Sequence, residues 1–181
     1  MPKRALLVID VQKGIVRAPS ILDAEGVLKR IRKLQDRFRE AGAPVLHVQH
    51  DGPSGHRVEK GTPGWDIEPN VIPAQNEPVI HKRASDAFFE TALQEQLAAL
   101  GITDLVIAGC MTQYCVDTTC RRAVSLGYNV FLASDAHTTA DDGELTASQI
   151  VSHHNTILDG FSAGEHAIVV QRTGEIEVSS S

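Results

Sequence analysis

The sequence predicts an α/β domain: a six-stranded, mostly parallel, doubly wound (Rossmann-like) sheet with helices on both faces. Three observations carry this. Short continuous apolar runs recur along the chain, as strands buried on both faces require. Between them lie stretches whose apolar residues follow helical spacing. The alternation of the two persists from end to end, which is the pattern of right-handed strand–helix–strand crossovers. A chain of 181 residues suits one domain, residues 1–181, with a sizeable core.

The first strand is Ala5-Leu6-Leu7-Val8-Ile9, closed by Asp10. Val27, Leu28, Ile31, Leu34 and Phe38 then share one helix face, and Gly42 stands where that helix stops. Its basic residues, among them Lys29, Arg32 and Lys33, form the solvated side. Residues 45–48 make the second strand and 77–80 a short third. Between these, residues 51–76 show no period and are rich in proline and glycine. Such a stretch is either a functional loop or a surface excursion that helps subunits meet. Ser85 is placed to cap a helix with the apolar face Phe89, Leu93, Leu97 and Leu100, stopped by Gly101. Residues 105–108 form the fourth strand, ending in Gly109. Residues 116–126 are a helix, 128–133 the fifth strand, 145–158 a helix, and 167–170 the sixth strand. Residues 177–181 read as a frayed tail.

Composition narrows the partners. The formal charge of −6 argues against nucleic acid, which favours a basic stripe. Three cysteines, Cys110, Cys115 and Cys120, describe neither a disulfide framework nor a zinc site. The first apolar run is too short for a signal peptide, and no later segment is long enough for a membrane span. The expected location is the cytoplasm, where thiols stay free.

In such a sheet the site lies beyond the carboxyl ends of the strands. Strand one ends in Asp10, strand two in Gln49-His50-Asp51, and strand three in His81-Lys82. Strand four leads into Gly109 and the run Cys110 to Cys115; strand five leads into Ser134-Asp135-Ala136-His137. An acid, a lysine and a cysteine therefore converge on one edge. Cys115 stands where a turn enters a helix, and free N–H groups there favour a thiolate and an oxyanion. Its bland reading is a small buried hydrophobe, a reading that suits Cys110 and Cys120 better. Asp10 is either a turn cap or an acid in a partly dry cleft. Lys82 is either a solvent-facing lysine or a cation that steadies two neighbouring anions.

These residues resemble a known family. The run Ala5 to Gln12, Lys82 followed by Ser85-Asp86-Ala87-Phe88, the stretch Gly109-Cys110-Met111-Thr112-Gln113-Tyr114-Cys115-Val116 through Thr119, and Asp135-Ala136 are similar to the isochorismatase-like cysteine hydrolases. The family includes nicotinamidases, N-carbamoyl and ureide amidohydrolases, and isochorismatases. The resemblance implies Cys115 as nucleophile, Asp10 as general base and then acid, and Lys82 as the cation holding both. It implies a cis peptide between Cys110 and Met111, with the N–H groups of Met111 and Cys115 forming the oxyanion hole. It also implies a homo-dimer or homo-tetramer acting on a small molecule.

Two departures refine the expectation. True isochorismatases lack the cysteine, so Cys115 favours cleavage of an amide C–N bond. Nicotinamidases hold a metal with an Asp-x-His pair, whereas Asp51 here is followed by Gly52 and Pro53. His47, His50, Asp51 and His56 are the remaining metal candidates, and polar loop histidines are their ordinary reading. The expectation is a hydrolase without metal or other cofactor. Gln12, Trp65, Phe88 and Tyr114 are candidates for the substrate pocket. The alternatives are an isochorismatase-type ether hydrolase and a non-catalytic nucleotide-binding domain. The latter is disfavoured because no GxGxxG follows strand one.

Overall fold

A computed structural model, which describes residues 3–178, gives the architecture. The apolar runs become the strands β1 (Arg4–Ile9), β2 (Val45–His50), β3 (Val79–Lys82), β4 (Asp104–Cys110), β5 (Asn129–Thr138), β6 (Ser162–Ala163) and β7 (His166–Gln171). Their order across the sheet is β3-β2-β1-β4-β5-β7-β6. Every pairing is parallel except that of β6 with β7. All six expected strands form. The additional β6 is a two-residue return too short to give an apolar signal. β3 begins two residues later than its apolar run suggested, so Lys82 is the strand's last residue.

Side chains alternate across a strand, so β1 serves two cores. Ala5, Leu7 and Ile9 face one layer together with Leu93 and Leu97 of α3 (Leu93–Ala99) and Cys120 and Ala123 of α4 (Asp117–Ser125). Leu6 and Val8 face the other, with Ile31, Leu34 and Phe38 of α2 (Ala24–Glu40). The α2 stripe is the one the spacing predicts. Phe38 is fully buried, and its truncation to alanine removes about 3–5 kcal/mol. A one-turn helix, α1 (Lys13–Val16), follows β1, and α5 (Ala147–Leu158) precedes β6. Thr146 and Gln149 form a reciprocal capping box at the start of α5.

Two expectations are corrected. The helix placed after Ser85 begins only at Leu93. Residues 84–92 are held instead by local bonds: Asp86 Oδ1 accepts from the N–H of Phe88 at 2.8 Å, and Thr91 Oγ1 donates to the Ala87 carbonyl at 2.6 Å. Side chains that bind nearby backbone in this way compete with a helix. Phe89 is exposed as a result, while Leu93 and Leu97 are fully buried. The start of the expected tail is also packed. Val178 lies against the second core, and Arg4 donates to the Glu177 carbonyl. Residues 179–181 of that tail lie outside the described residues. No described helix is long and apolar enough to cross a membrane.

The chain leaves β1 toward β2 and β3 on one side and returns to β4 on the other. The switch in strand order opens a crevice beyond the carboxyl ends of β1 and β4. The segment 51–76 is fastened beside this crevice: Lys13 N donates to Asp66 O at 2.9 Å, Gly14 N to Gly64 O at 2.8 Å, and Glu68 N to Val11 O at 2.9 Å.

Candidate active site

Asp10 leaves β1 with a φ of 50°, in the left-handed region, and its N–H still bonds the Val48 carbonyl of β2 at 2.9 Å. Across the switch point Gly109 has a φ of 131°. A Cβ there would stand 2.0 Å from the Ile9 carbonyl oxygen, so only glycine lets β4 come this close below Asp10. Asp10 and Cys115 share the wall of a cavity of about 230 Å³ with Ile15, His50, Tyr114 and other residues.

Lys82 lies behind that wall with a fully buried side chain. Its Nζ stands 2.7 Å from Asp10 Oδ2, 3.1 Å from Cys115 Sγ, 2.8 Å from the Ala84 carbonyl and 3.4 Å from His50 Nδ1. Burial works against this ammonium, but the charges of Asp10 and Cys115 outweigh it and raise the lysine above its ordinary value. Beyond the ion pair neither oxygen of Asp10 accepts a hydrogen bond from the described residues, although Asp10 is almost fully buried. The three residues expected to act together are therefore brought together. Lys82 reaches past β2 from the outer strand to do it.

The thiol departs from expectation. Cys115 is not at the open start of an α-helix but inside a π-helical turn, Thr112–Val116, that precedes α4. Burial and the neighbouring Asp10 push its pKa up to about 12, and Lys82 only partly opposes them. These surroundings favour the protonated thiol over the thiolate. Cys110 and Cys120 are fully buried, and burial raises both above the ordinary thiol value.

The turn that carries Cys115 is pinned from below. Thr112 Oγ1 lies 2.9 Å from His137 Nδ1, His137 Nε2 lies 2.9 Å from Asn155 Oδ1, and Asn155 Nδ2 donates to the Ser134 carbonyl at 3.1 Å. The carbonyl fixes the amide and the amide oxygen fixes the imidazole: Nε2 carries the proton and Nδ1 accepts from Thr112. Burial lowers the His137 pKa to about 4, which keeps this ring neutral. The peptide between Cys110 and Met111 is cis, as the family resemblance implied. Met111 and Cys115, the expected oxyanion donors, both line the cavity.

Of the four pocket candidates, Tyr114 alone lines this cavity, and its hydroxyl donates to Asp142 Oδ2 at 2.6 Å. Gln12 is fully buried and clamps two backbones instead. Its amide donates to the carbonyls of His50 and Trp65 at 3.0 and 2.8 Å and accepts from the N–H of His50. Trp65 donates to Asp51 at 2.8 Å and stacks on His81. Phe88 packs into the core against Tyr128. His56, Arg57, Val58 and Ser85 also line the cavity and were not singled out for it. Segment 51–76, which supplies the first three, has no periodicity from which a side chain's direction follows. His50, a metal candidate by sequence, stands at the end of β2 and so at the same edge.

The metal candidates do not converge. Asp51 accepts from Lys60 at 2.6 Å and Trp65 at 2.8 Å and meets His81 at 3.0 Å. His47 lies 3.1 Å from Gln35 and 3.5 Å from Glu77, and burial lowers its pKa to about 4. His50 turns Nδ1 to Lys82, and His56 Nδ1 accepts from the N–H of Val58 at 3.3 Å. Among the described residues no group of three or more His, Cys, Asp or Glu is arranged to hold a metal ion.

The chain is similar to known proteins along most of its length. The family model described as Isochorismatase domain matches residues 4–157. A streptothricin hydrolase from Streptomyces noursei is 43% identical over 139 residues, covering 76% of this chain and 50% of the relative. The chain thus spans about half the length of that relative and of a second streptothricin hydrolase, 56% of which it covers. The crystal structure of an isochorismatase from Pseudomonas putida KT2440 is 31% identical and superposes with a TM-score of 0.88, covering 96% of this chain and 90% of that one. The N-carbamoylsarcosine amidase of Thermoplasma acidophilum is 25% identical with a TM-score of 0.79, covering 97% and 99%.

Proposed function

Because this chain belongs to the isochorismatase family, we propose that it hydrolyses a C–N bond of a small amide, carbamoyl or ureide compound through a thioester on Cys115. The observation that carries the reading is one buried ammonium set 2.7 Å from a carboxylate and 3.1 Å from a thiol that share a cavity. The similarity to a streptothricin hydrolase and to an N-carbamoylsarcosine amidase supports amide hydrolysis as the class.

In the first half of the reaction Asp10 takes the thiol proton as Sγ bonds the carbonyl carbon. Burial and Asp10 favour the protonated thiol, which suits a transfer that accompanies attack. Lys82 offsets the negative charge on sulfur. The N–H groups of Met111 and Cys115 receive the oxyanion. Asp10 then gives its proton to the leaving nitrogen, the C–N bond breaks, and a thioester remains. In the second half Asp10 takes a proton from water as the water oxygen attacks the thioester. The C–S bond breaks, the proton returns to sulfur, and the acid departs. The poorly partnered oxygens of Asp10 suit a group that must accept, donate and accept again.

The test is release of ammonia from a panel of primary amides, ureides and N-carbamoyl compounds, with hydrolysis of streptothricin followed in parallel by the mass of one added water. Turnover that disappears in Cys115→Ala supports the reading. Hydrolysis of isochorismate that survives the loss of Cys115 moves the protein to the ether-hydrolase alternative.

A further inference from the structure

Eight of the eleven arginines sit against a carboxylate. Arg37 donates to two backbone carbonyls. Of the other two, Arg83 does not line the cavity and Arg57 does. Arg57 has no carboxylate partner among the described residues. Its guanidinium donates to Met111 Sδ at 2.8 Å, and this places a full positive charge beside the nucleophile turn. Lys82 and Asp10 cancel one another, so the cavity carries one cation in excess in a chain whose formal charge is −6. Asp142 accepts from Tyr114 and Gln113 and does not line the cavity.

The backbone holds Arg57 in this place. A Cβ on Gly14 would stand 2.1 Å from the Arg57 carbonyl oxygen, and one on Gly64 would stand 2.3 Å from it. Two glycines thus leave room for one carbonyl. The next residue, Val58, is fully buried and lines the same cavity, and its carbonyl accepts from the N–H of Gly52 at 3.0 Å. An arginine fixed at its backbone, turned to a cavity and left without an acid is arranged to meet an acid that arrives with the ligand.

We propose that Arg57 is the anion-binding residue of this site and that the substrate carries a carboxylate a few bonds from its scissile carbonyl. This rests on the amidase reading. A cavity of about 230 Å³ has room for roughly eight water-sized groups, which suits an N-carbamoyl amino acid or the half-amide of a short diacid. The planar guanidinium fork matches the two carboxylate oxygens. It holds the substrate by the end that does not react and leaves the amide to Cys115.

The experiment separates this from the amidase reading by using two alkylating probes of nearly equal size. Rates of Cys115 modification by iodoacetate and by iodoacetamide are measured by mass spectrometry. The iodoacetamide rate of each variant is the internal reference, so a general change in thiol reactivity cancels. In Arg57→Gln the iodoacetate-to-iodoacetamide ratio falls about fivefold or more, and Arg57→Lys restores most of it. A ratio unchanged in Arg57→Gln overturns the proposal. In parallel, ammonia release from N-carbamoylglycine is compared with release from its neutral methyl ester. A higher kcat/KM for the acid, lost in Arg57→Gln, supports the proposal; equal turnover of both in the unmodified protein counts against it and leaves the amidase reading standing. Should neither be hydrolysed along with the rest of the amide panel, the amidase reading fails, and the alkylation ratio still decides whether Arg57 attracts anions.

Discussion

Asp10 and Asp51 follow the carboxyl ends of neighbouring strands, β1 and β2, and both are buried. Their surroundings differ. Asp51 meets Lys60, Trp65 and His81 within 3.0 Å. Burial works against its charge, yet these three partners outweigh burial and hold the carboxyl below the usual range. Asp10 has one close cation and no further hydrogen bond from the described residues. A buried acid whose oxygens are all engaged fastens a loop; one with oxygens left open retains capacity for a proton or a ligand.

The sharpest way to break this comparison is to change each acid to its amide. Asp10→Asn is expected to lower turnover by about a thousandfold, because an amide neither takes the thiol proton nor returns it. Asp51→Asn is expected to keep activity within about tenfold and to lose about 1–3 kcal/mol in urea unfolding, since the amide presents N–H to a lysine. An inactive Asp51→Asn protein of undiminished stability would falsify the division of roles. Lys82→Ala comes next. It leaves Asp10 unpaired and removes the cation that favours the thiolate, so iodoacetamide labelling of Cys115 should slow by about tenfold. The folded state should lose about 3–5 kcal/mol. Labelling that quickens in Lys82→Ala would contradict the electrostatic assignment.

The same contrast extends to histidines, with a smaller effect. His47 and His137 are held neutral by burial, each with a pKa lowered to about 4. The unfolded chain binds those protons below about pH 6.5, and the folded chain does so only near pH 4. Their stabilising contribution is therefore complete above pH 6.5 and is lost as pH falls toward 4, on the order of 3 kcal/mol for each ring. Melting temperatures measured across that window should fall steadily and then flatten with respect to these two groups. A flat profile would mean that both rings are protonated in the fold. The smallest expected effect is that of a chelator. With Asp51 engaged by three side chains, dialysis against EDTA should leave turnover unchanged; loss of activity restored by zinc would return His50 and His56 to the ligand set.

The fold was legible because its strands are continuous apolar runs, and the acid, lysine and cysteine were legible because strand ends in a doubly wound sheet meet at one edge. What escaped had a local cause. Residues 84–92 carry apolar residues at helical spacing, but Asp86 and Thr91 bind the backbone first, and Phe88 rather than Phe89 enters the core. Gln12 reads as a polar residue beside the site, yet its amide is consumed in tying β2 to Trp65. A helix end favours a thiolate at Cys115, whereas burial and Asp10 push the thiol the other way. Arg57 sits in a segment with no period, and that it has no carboxylate partner among the described residues is something no spacing reveals.

Lys82 belongs to β3, a four-residue strand at the outer edge of the sheet that pairs with β2 alone. Edge strands detach at lower cost than central ones, and amide hydrogen exchange reports that detachment. The amides of β3 should exchange ahead of those of β1 and β4. In rising denaturant, turnover should then disappear while the central sheet still holds its protons. On the proposed mechanism, the cation beside the sulfur then rides on an edge of the sheet, and loss of turnover ahead of the central amides is the expected signature of that edge.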